Sequence, residues 1–172
     1  WEGFLDVVVA IHRTPIAGLG LRAGLAQELD AWDEYARWST DGSPPAPLVE
    51  VLAWCRNHVP VDENPGGLLW GDVRYENVIF DTDTLRPAAV LDWDMASVGP
   101  FELDLGWFLA LEHVQATFAA PPAGFGSHEE AIIRAETQLG RDLHDIGWYE
   151  VFALARASAI ATRITVLQQR AG

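Results

Sequence analysis

The sequence predicts an α+β fold that is mostly helical and carries a small β-hairpin. Apolar residues recur at steps of three and four over most of the chain. Two short apolar runs, Val78-Ile79-Phe80 and Ala89-Val90-Leu91, lie within hairpin distance of each other. An Ala-rich stretch from about Trp148 to Gln169 reads as one long closing helix.

The elements follow in order. Phe4, Leu5, Val8, Val9 and His12 share a helical face, and Pro15 ends that segment. The run Gly18-x-Gly20-x-x-x-Gly24 has no strand before it and reads as a plain connection, not a nucleotide loop. Leu25, Leu29, Trp32 and Ala36 give a second amphipathic helix, broken by Asp41-Gly42-Ser43-Pro44-Pro45. Leu48, Val51, Leu52 and Cys55 mark a third, stopped at Pro60. A polar loop from Asp62 to Gly67 delivers the chain to a strand at Leu68. A hairpin with arms Asn77 to Asp81 and Ala88 to Asp92, turning near Thr84-Leu85, would set Asn77 opposite Asp92. Helical spacing resumes after Pro100, with Leu103, Trp107, Ala110 and Val114 on one face. Ser127 with Glu130 forms a capping box that opens a short helix to about Leu139, and the long helix follows. The 172 residues are expected to form a single domain with a substantial core.

Composition narrows the function. The net charge of -14 opposes binding to nucleic acid or to an anionic membrane surface. No apolar run approaches the length of a membrane span, and no signal peptide is read at the start, which is Trp1 and not Met. A single cysteine, Cys55, excludes an internal disulfide and fits a reducing cytoplasm. The five His residues show no metal-ligand spacing, and His12 at a helix end reads as packed or capping.

The chemistry is concentrated in Trp70-Gly71-Asp72-Val73-Arg74-Tyr75-Glu76-Asn77 and in Leu91-Asp92-Trp93-Asp94. Asn77 and Asp92, brought together at one sheet edge, offer the hard oxygen donors that Mg²⁺ takes when it bridges nucleotide phosphates. Asp72 then stands beside them as a carboxylate able to accept a hydroxyl proton. A strand ending in Asp-x-Asp also suits a phosphatase whose first Asp attacks phosphorus, but such sites want a Lys and an opening strand, and here there is neither. Asp94 reads either as an aid to the metal or, in preference, as an acceptor for backbone N–H groups in the following turn. Asp104 reads as a helix-start acid that complements the dipole.

These motifs resemble the protein-kinase-like phosphotransferases of the aminoglycoside phosphotransferase and choline kinase branch. Gly71-Asp72 with Asn77 matches the catalytic loop of that family, Leu91-Asp92-Trp93 its metal strand, and Asp104-Leu105-Gly106-Trp107 its following helix. The likeness extends over most of the chain and is nearest to phosphotransferase domains found beside acyl-CoA dehydrogenases. It implies Asp72 as catalytic base, Asn77 and Asp92 as ligands of Mg²⁺ and so of ATP or another nucleoside triphosphate, and Arg74 against the transferring phosphate or paired with a neighbouring carboxylate. The family's His before Gly-Asp is Trp70 here, a departure that bears on loop geometry more than on chemistry.

All 11 basic residues are Arg, so the Lys with which such enzymes steady the phosphates is not in this chain. The chain therefore reads as the C-terminal lobe of a two-lobe phosphotransferase whose N-terminal lobe is absent. The expected function is γ-phosphoryl transfer to a small-molecule hydroxyl, with the acceptor near Glu112, His113 and the segment after Ala119. Family likeness leaves aminoglycosides, choline-like alcohols and hydroxylated acyl thioesters open. The rival is an inactive pseudokinase-type binding module, fed by Trp70 and by the absent lobe. The face meant for that lobe is expected to be exposed and to favour self-association.

Overall fold

The computed structural model describes residues 1–61 and 66–171. Six α-helices and four short strands follow in the order α1 Glu2–His12, α2 Leu25–Ser39, α3 Ala46–Asn57, β1 Gly67–Leu69, β2 Val78–Phe80, β3 Pro87–Val90, β4 Ser97–Gly99, α4 Glu102–Ala116, α5 His128–Leu139 and α6 Ile146–Ala171. A single 3₁₀ turn, Tyr75–Asn77, leads into β2. Every helix read from periodicity is present. Of the loop expected at Asp62 to Gly67, residues 62–65 lie outside the described residues, and Gly67 already belongs to β1.

The helices form because each can bury an apolar stripe. Helix α1 buries Phe4, Leu5, Val8, Val9 and Ile11, each contributing about 1.5–3 kcal/mol of transfer free energy. The α5 start has both halves of its capping box: Ser127 Oγ accepts from the Glu130 N–H at 3.2 Å, and the Ser127 N–H donates to Glu130 Oε2 at 2.6 Å. The core lies in two clusters. One gathers α1, α4 and α5 around Trp70; the other gathers α2, α3 and α6 around Phe152. Helix α4 joins them, and it approaches α6 at Gly106, where a Cβ would stand 2.6 Å from that of Tyr149. Any side chain there would push the two helices apart.

Two antiparallel ribbons carry the loops of interest. Strand β1 pairs with β4, Leu68 opposite Val98; β4 was not anticipated, since Ser97-Val98-Gly99 has no alternating pattern to reveal it. Strand β2 pairs with β3, Val78 opposite Val90 and Ile79 opposite Ala89. The expected register is corrected here by one residue. The ladder continues as the Leu91 N–H donating to the Asn77 carbonyl at 2.8 Å, so Asn77 faces Leu91 and not Asp92. The turn explains the slip. Asp81 Oδ1 accepts from the N–H groups of Asp83 and Thr84 and from the Thr84 hydroxyl, and the Asp81 N–H reaches the Arg86 carbonyl. A bulge between Ile79 and Phe80 then shifts the register again beside Pro87, which has no N–H to give the ladder.

Candidate active site

The loop from Trp70 to Asn77 is held from below by α4. Asp104 is 1% exposed, and its carboxylate accepts from the backbone N–H of Trp70 and of Gly71, both at 2.8 Å. Two hydrogen bonds to a charged acceptor, each about 1.5–3 kcal/mol, fix the peptide just before Asp72. The dipole account of Asp104 is therefore incomplete; its partners lie 33 and 34 residues back in the chain. Gly71 has φ +90°, and a Cβ there would sit 2.3 Å from the Met95 carbonyl oxygen. Only glycine lets the loop press against the Asp92–Met95 segment.

Asp72 and Asn77 meet. Asp72 Oδ2 accepts from Asn77 Nδ2 at 2.8 Å, the same amide donates to the Asp72 backbone carbonyl at 3.2 Å, and Asp72 Oδ1 accepts from Trp107 Nε1 at 3.1 Å. The 3₁₀ turn bends Asn77 back toward Asp72, which is why an Asn stands there in place of a strand former. Both amide hydrogens face acceptors, so the Asn77 carbonyl oxygen is the atom turned away and open to a cation.

Trp70 is fully buried and bridges the two loops. Its Nε1 donates to the carbonyls of Leu91 and Asp92 at 2.8 and 2.9 Å. Trp70, where the family has His, thus aims a ring N–H donor at the Leu91-Asp92 segment. Asp92 sits at φ +58°, a conformation in which a short polar side chain is among the few tolerated. Its carboxylate is exposed and has no hydrogen-bond or ion-pair partner among the described residues. Asn77 and Asp92 each carry a hard oxygen donor of the sort Mg²⁺ takes. Among the described residues no group of three or more His, Cys, Asp or Glu could hold a metal. Arg74 Nε pairs with Glu76 at 3.3 Å, an exposed contact that phosphate could displace.

Arg156, which no motif signals, is the second support. It is 3% exposed on α6, its Nη2 donates to the Gly71 carbonyl at 3.2 Å, and its guanidinium lies 4.7 Å from the Trp107 ring centroid and 5.0 Å from that of Trp32. Burial lowers its pKa to about 10, opposed by Glu28, Asp104 and Asp72. The signal was legible in principle: Arg156 is four residues after Phe152 and seven after Tyr149, a lone cation on the buried stripe of its helix.

Burial raises Asp104 to about 6, while its bonds from Trp70 and Gly71 and the charge of Arg156 pull it down. A carboxyl raised on folding favours the fold below its unfolded value, near 3.8, and that contribution disappears as pH rises through about 6. The stability lost in Asp104→Asn should therefore be smaller at pH 7 than at pH 4, by up to about 3 kcal/mol. Urea unfolding of both proteins across that range checks it; a pH-independent difference would contradict the raised value.

Of the acceptor residues expected downstream, Glu112 and the segment after Ala119 line a cavity of about 470 Å³ with Tyr75, Gln115, Phe125 and His128, and His113 is not among the lining residues. His113 is near His128, with ring centroids 6.1 Å apart. A second cavity, about 400 Å³, lies between α2, α6 and the Asp94-Met95 turn. Burial pushes the Cys55 thiol up to about 11, and His12 is packed against Phe101 as anticipated. Among the described residues no helix is long and apolar enough to cross a membrane.

Comparison with known proteins agrees with this fold. A Ralstonia eutropha protein described as an aminoglycoside phosphotransferase superposes with a TM-score of 0.77 at 21% identity, covering 95% of this chain and 55% of that one. The aminoglycoside phosphotransferase APH(3'')-Id of Streptomyces rimosus gives 0.66 at 18% identity, covering 91% and 60%. At such identities the likeness shows the fold alone, here the C-terminal lobe of a protein-kinase-like enzyme. Among curated proteins, the probable acyl-CoA dehydrogenase IBR3 of Arabidopsis thaliana is 25% identical over 91% of this chain and 22% of its own length. The human acyl-CoA dehydrogenase family member 11 is 27% identical over 57% of this chain and 13% of its own. The chain thus spans less than a quarter of those relatives and a little over half of the solved structures. The model of the phosphotransferase enzyme family known as APH matches residues 1–146, and the chain belongs to that family.

Proposed function

We propose that this chain is the acceptor-and-metal half of an ATP-dependent phosphotransferase acting on a small-molecule hydroxyl. The observation that carries the reading is the Asp72–Asn77 contact on a loop braced by Asp104, with Asp92 tied to the same loop through Trp70. Each Asp72 carboxylate oxygen accepts one protein hydrogen bond and keeps a second lone pair, so an acceptor hydroxyl can still bind it. Asp72 would orient that hydroxyl and take its proton as the new oxygen–phosphorus bond forms and the bond from the γ-phosphorus to the departing nucleoside diphosphate breaks. The Asn77 side-chain amide oxygen and the Asp92 carboxylate would hold magnesium, which would supply neutralisation of charge on the phosphoryl oxygens. Arg74, once released from Glu76, would face the same phosphate. The Trp70 bonds to the Leu91 and Asp92 carbonyls support catalysis over the reading as an inactive binding module.

With no Lys in the chain, the cation that steadies the α- and β-phosphates would come from a second, N-terminal lobe. Nucleotide use is supported by a related Streptomyces rimosus structure held with ADP and streptomycin. The names of the curated relatives favour a hydroxylated acyl compound as acceptor. The test is magnesium-ATP with a panel of alcohols, read by mass spectrometry of the product. The chain alone is expected to give no product, because its ion site is open to water, and to recover when the N-terminal lobe is supplied. In the two-lobe protein Asp92→Ala should raise the KM for magnesium-ATP. Robust Asp72-dependent product from the chain alone would contradict this division of labour.

A further inference from the structure

Helix α4 sends two side chains, one turn apart, to the loop that carries Asp72. Asp104 takes the backbone N–H groups of Trp70 and Gly71. Trp107, three residues on, reaches the neighbouring side chain, its Nε1 donating to Asp72 Oδ1 at 3.1 Å. Residues three apart lie on one helix face, so a single surface of α4 holds both the backbone before the base and the base itself. Asp104 fixes where the Asp72 backbone stands. It does not fix the carboxylate, because the terminal torsion of an Asp side chain is broad and allows the group to turn.

Two donors oppose that turning. Asn77 Nδ2 donates to Oδ2 at 2.8 Å, but Asn77 belongs to the same loop as Asp72 and moves with it. Trp107 ties the other oxygen to α4, outside the loop. The indole is itself held firmly. It is 3% exposed, and the Arg156 guanidinium stands 4.7 Å from its ring centroid while donating to the Gly71 carbonyl at 3.2 Å. Gly106, the residue before it, has no room for a side chain against Tyr149, so α4 is seated closely on α6 at this turn. A cation on the face of an indole draws ring electrons toward itself and leaves the N–H edge more positive. The charge of Arg156 thus strengthens the donor that Trp107 offers to Asp72.

We infer that Trp107 is a positioning residue for the reaction: its indole N–H holds the Asp72 carboxylate at the rotation in which its free lone pairs meet the acceptor hydroxyl. It then contributes to kcat and not to the binding of either substrate. This rests on the phosphotransfer reading of Asp72, and the test separates the two.

In the full-length protein, Trp107 is replaced by benzothienylalanine, which keeps the bicyclic shape and puts sulfur where the N–H was. A second protein carries fluorotryptophan there, which keeps the N–H. Benzothienylalanine should lower kcat by about 10–10²-fold, as for a reacting group displaced by up to about 1 Å, with both KM values where they were. Fluorotryptophan should retain the parent kcat. In an Asp72→Asn background benzothienylalanine should cost nothing further, because the group it acts through is gone. An unchanged kcat with benzothienylalanine overturns the inference. So does an equal loss in the Asp72→Asn background or with fluorotryptophan, either of which would make Trp107 a packing residue.

A readout independent of turnover comes from ¹⁵N-tryptophan labelling. The Trp107 indole N–H resonance, identified by its absence from the benzothienylalanine protein, should move upfield in Asp72→Ala as its acceptor is lost. A resonance indifferent to Asp72→Ala also overturns the inference. A resonance that responds, in a protein with no Asp72-dependent turnover, would leave Trp107 as the group that orients Asp72 and remove the phosphotransfer reading. Asp72-dependent turnover untouched by benzothienylalanine would do the reverse.

Discussion

An Asp72→Asn variant of the two-lobe protein is expected to fold and bind magnesium-ATP normally while losing turnover by about 10²–10⁴-fold. The substitution keeps the size of the side chain and one acceptor oxygen. It removes the negative charge and the ability to take the hydroxyl proton. The amide can still accept from either Trp107 Nε1 or Asn77 Nδ2, but its NH₂ end must then face the other donor. The site chain should therefore loosen locally, with the global fold held by Asp104 and the core. Steady-state kinetics with both substrates would show kcat falling with little change in nucleotide KM. Near-normal turnover would mean that Asp72 does not handle the acceptor proton.

Arg156→Met should have the largest effect on stability, about 3–5 kcal/mol, or on the order of 10 °C in Tm. Methionine fills much of the slot between Trp32 and Trp107, so the loss is not mainly a cavity. The cost comes from leaving Asp104 and Glu28 buried without the cation whose charge they share. Glu28 retains Arg22; Asp104 retains only its two backbone donors. Thermal unfolding monitored by calorimetry checks the magnitude. If Arg156→Met melted within a degree or two of the parent, the guanidinium would be a passenger between its two rings. Adding Asp104→Asn to Arg156→Met should then cost less than adding it to the parent, since the buried carboxylate left without its cation is removed.

The helices were legible because each repeats its apolar residues over two or more turns, and burial follows that stripe directly. The meeting of Asp72 with Asn77 was legible too, since five residues of chain can close only a short loop. The pairing of Asn77 with Asp92 was not. Counting back from a symmetric turn ignores the hydrogen bonds of Asp81 and the bulge beside Pro87, and together they move the register by one. The partners of Asp104 were hidden for a different reason. A helix-start acid has a sufficient local explanation, and its partners lie in a loop more than thirty residues away. Arg156 has no motif at all. Only its position on an apolar stripe distinguishes it, and such a residue becomes interpretable when the aromatic rings around it are seen.

The bond from Arg156 to the Gly71 carbonyl joins residues 85 apart in the chain. At translation speeds of 5–20 residues per second, Gly71 is made roughly 4–17 s before its partner. From the completion of α4 onward a nascent chain has the Gly-Asp loop, the hairpin and the acidic residues, but not the cation that braces them. The loop before Asp72 is thus braced only once the middle of α6 has left the ribosome. A stalled or prematurely released product that contains every recognisable motif would still lack a settled base. Motif content and competence are separated in time by the length of chain between α4 and the middle of α6.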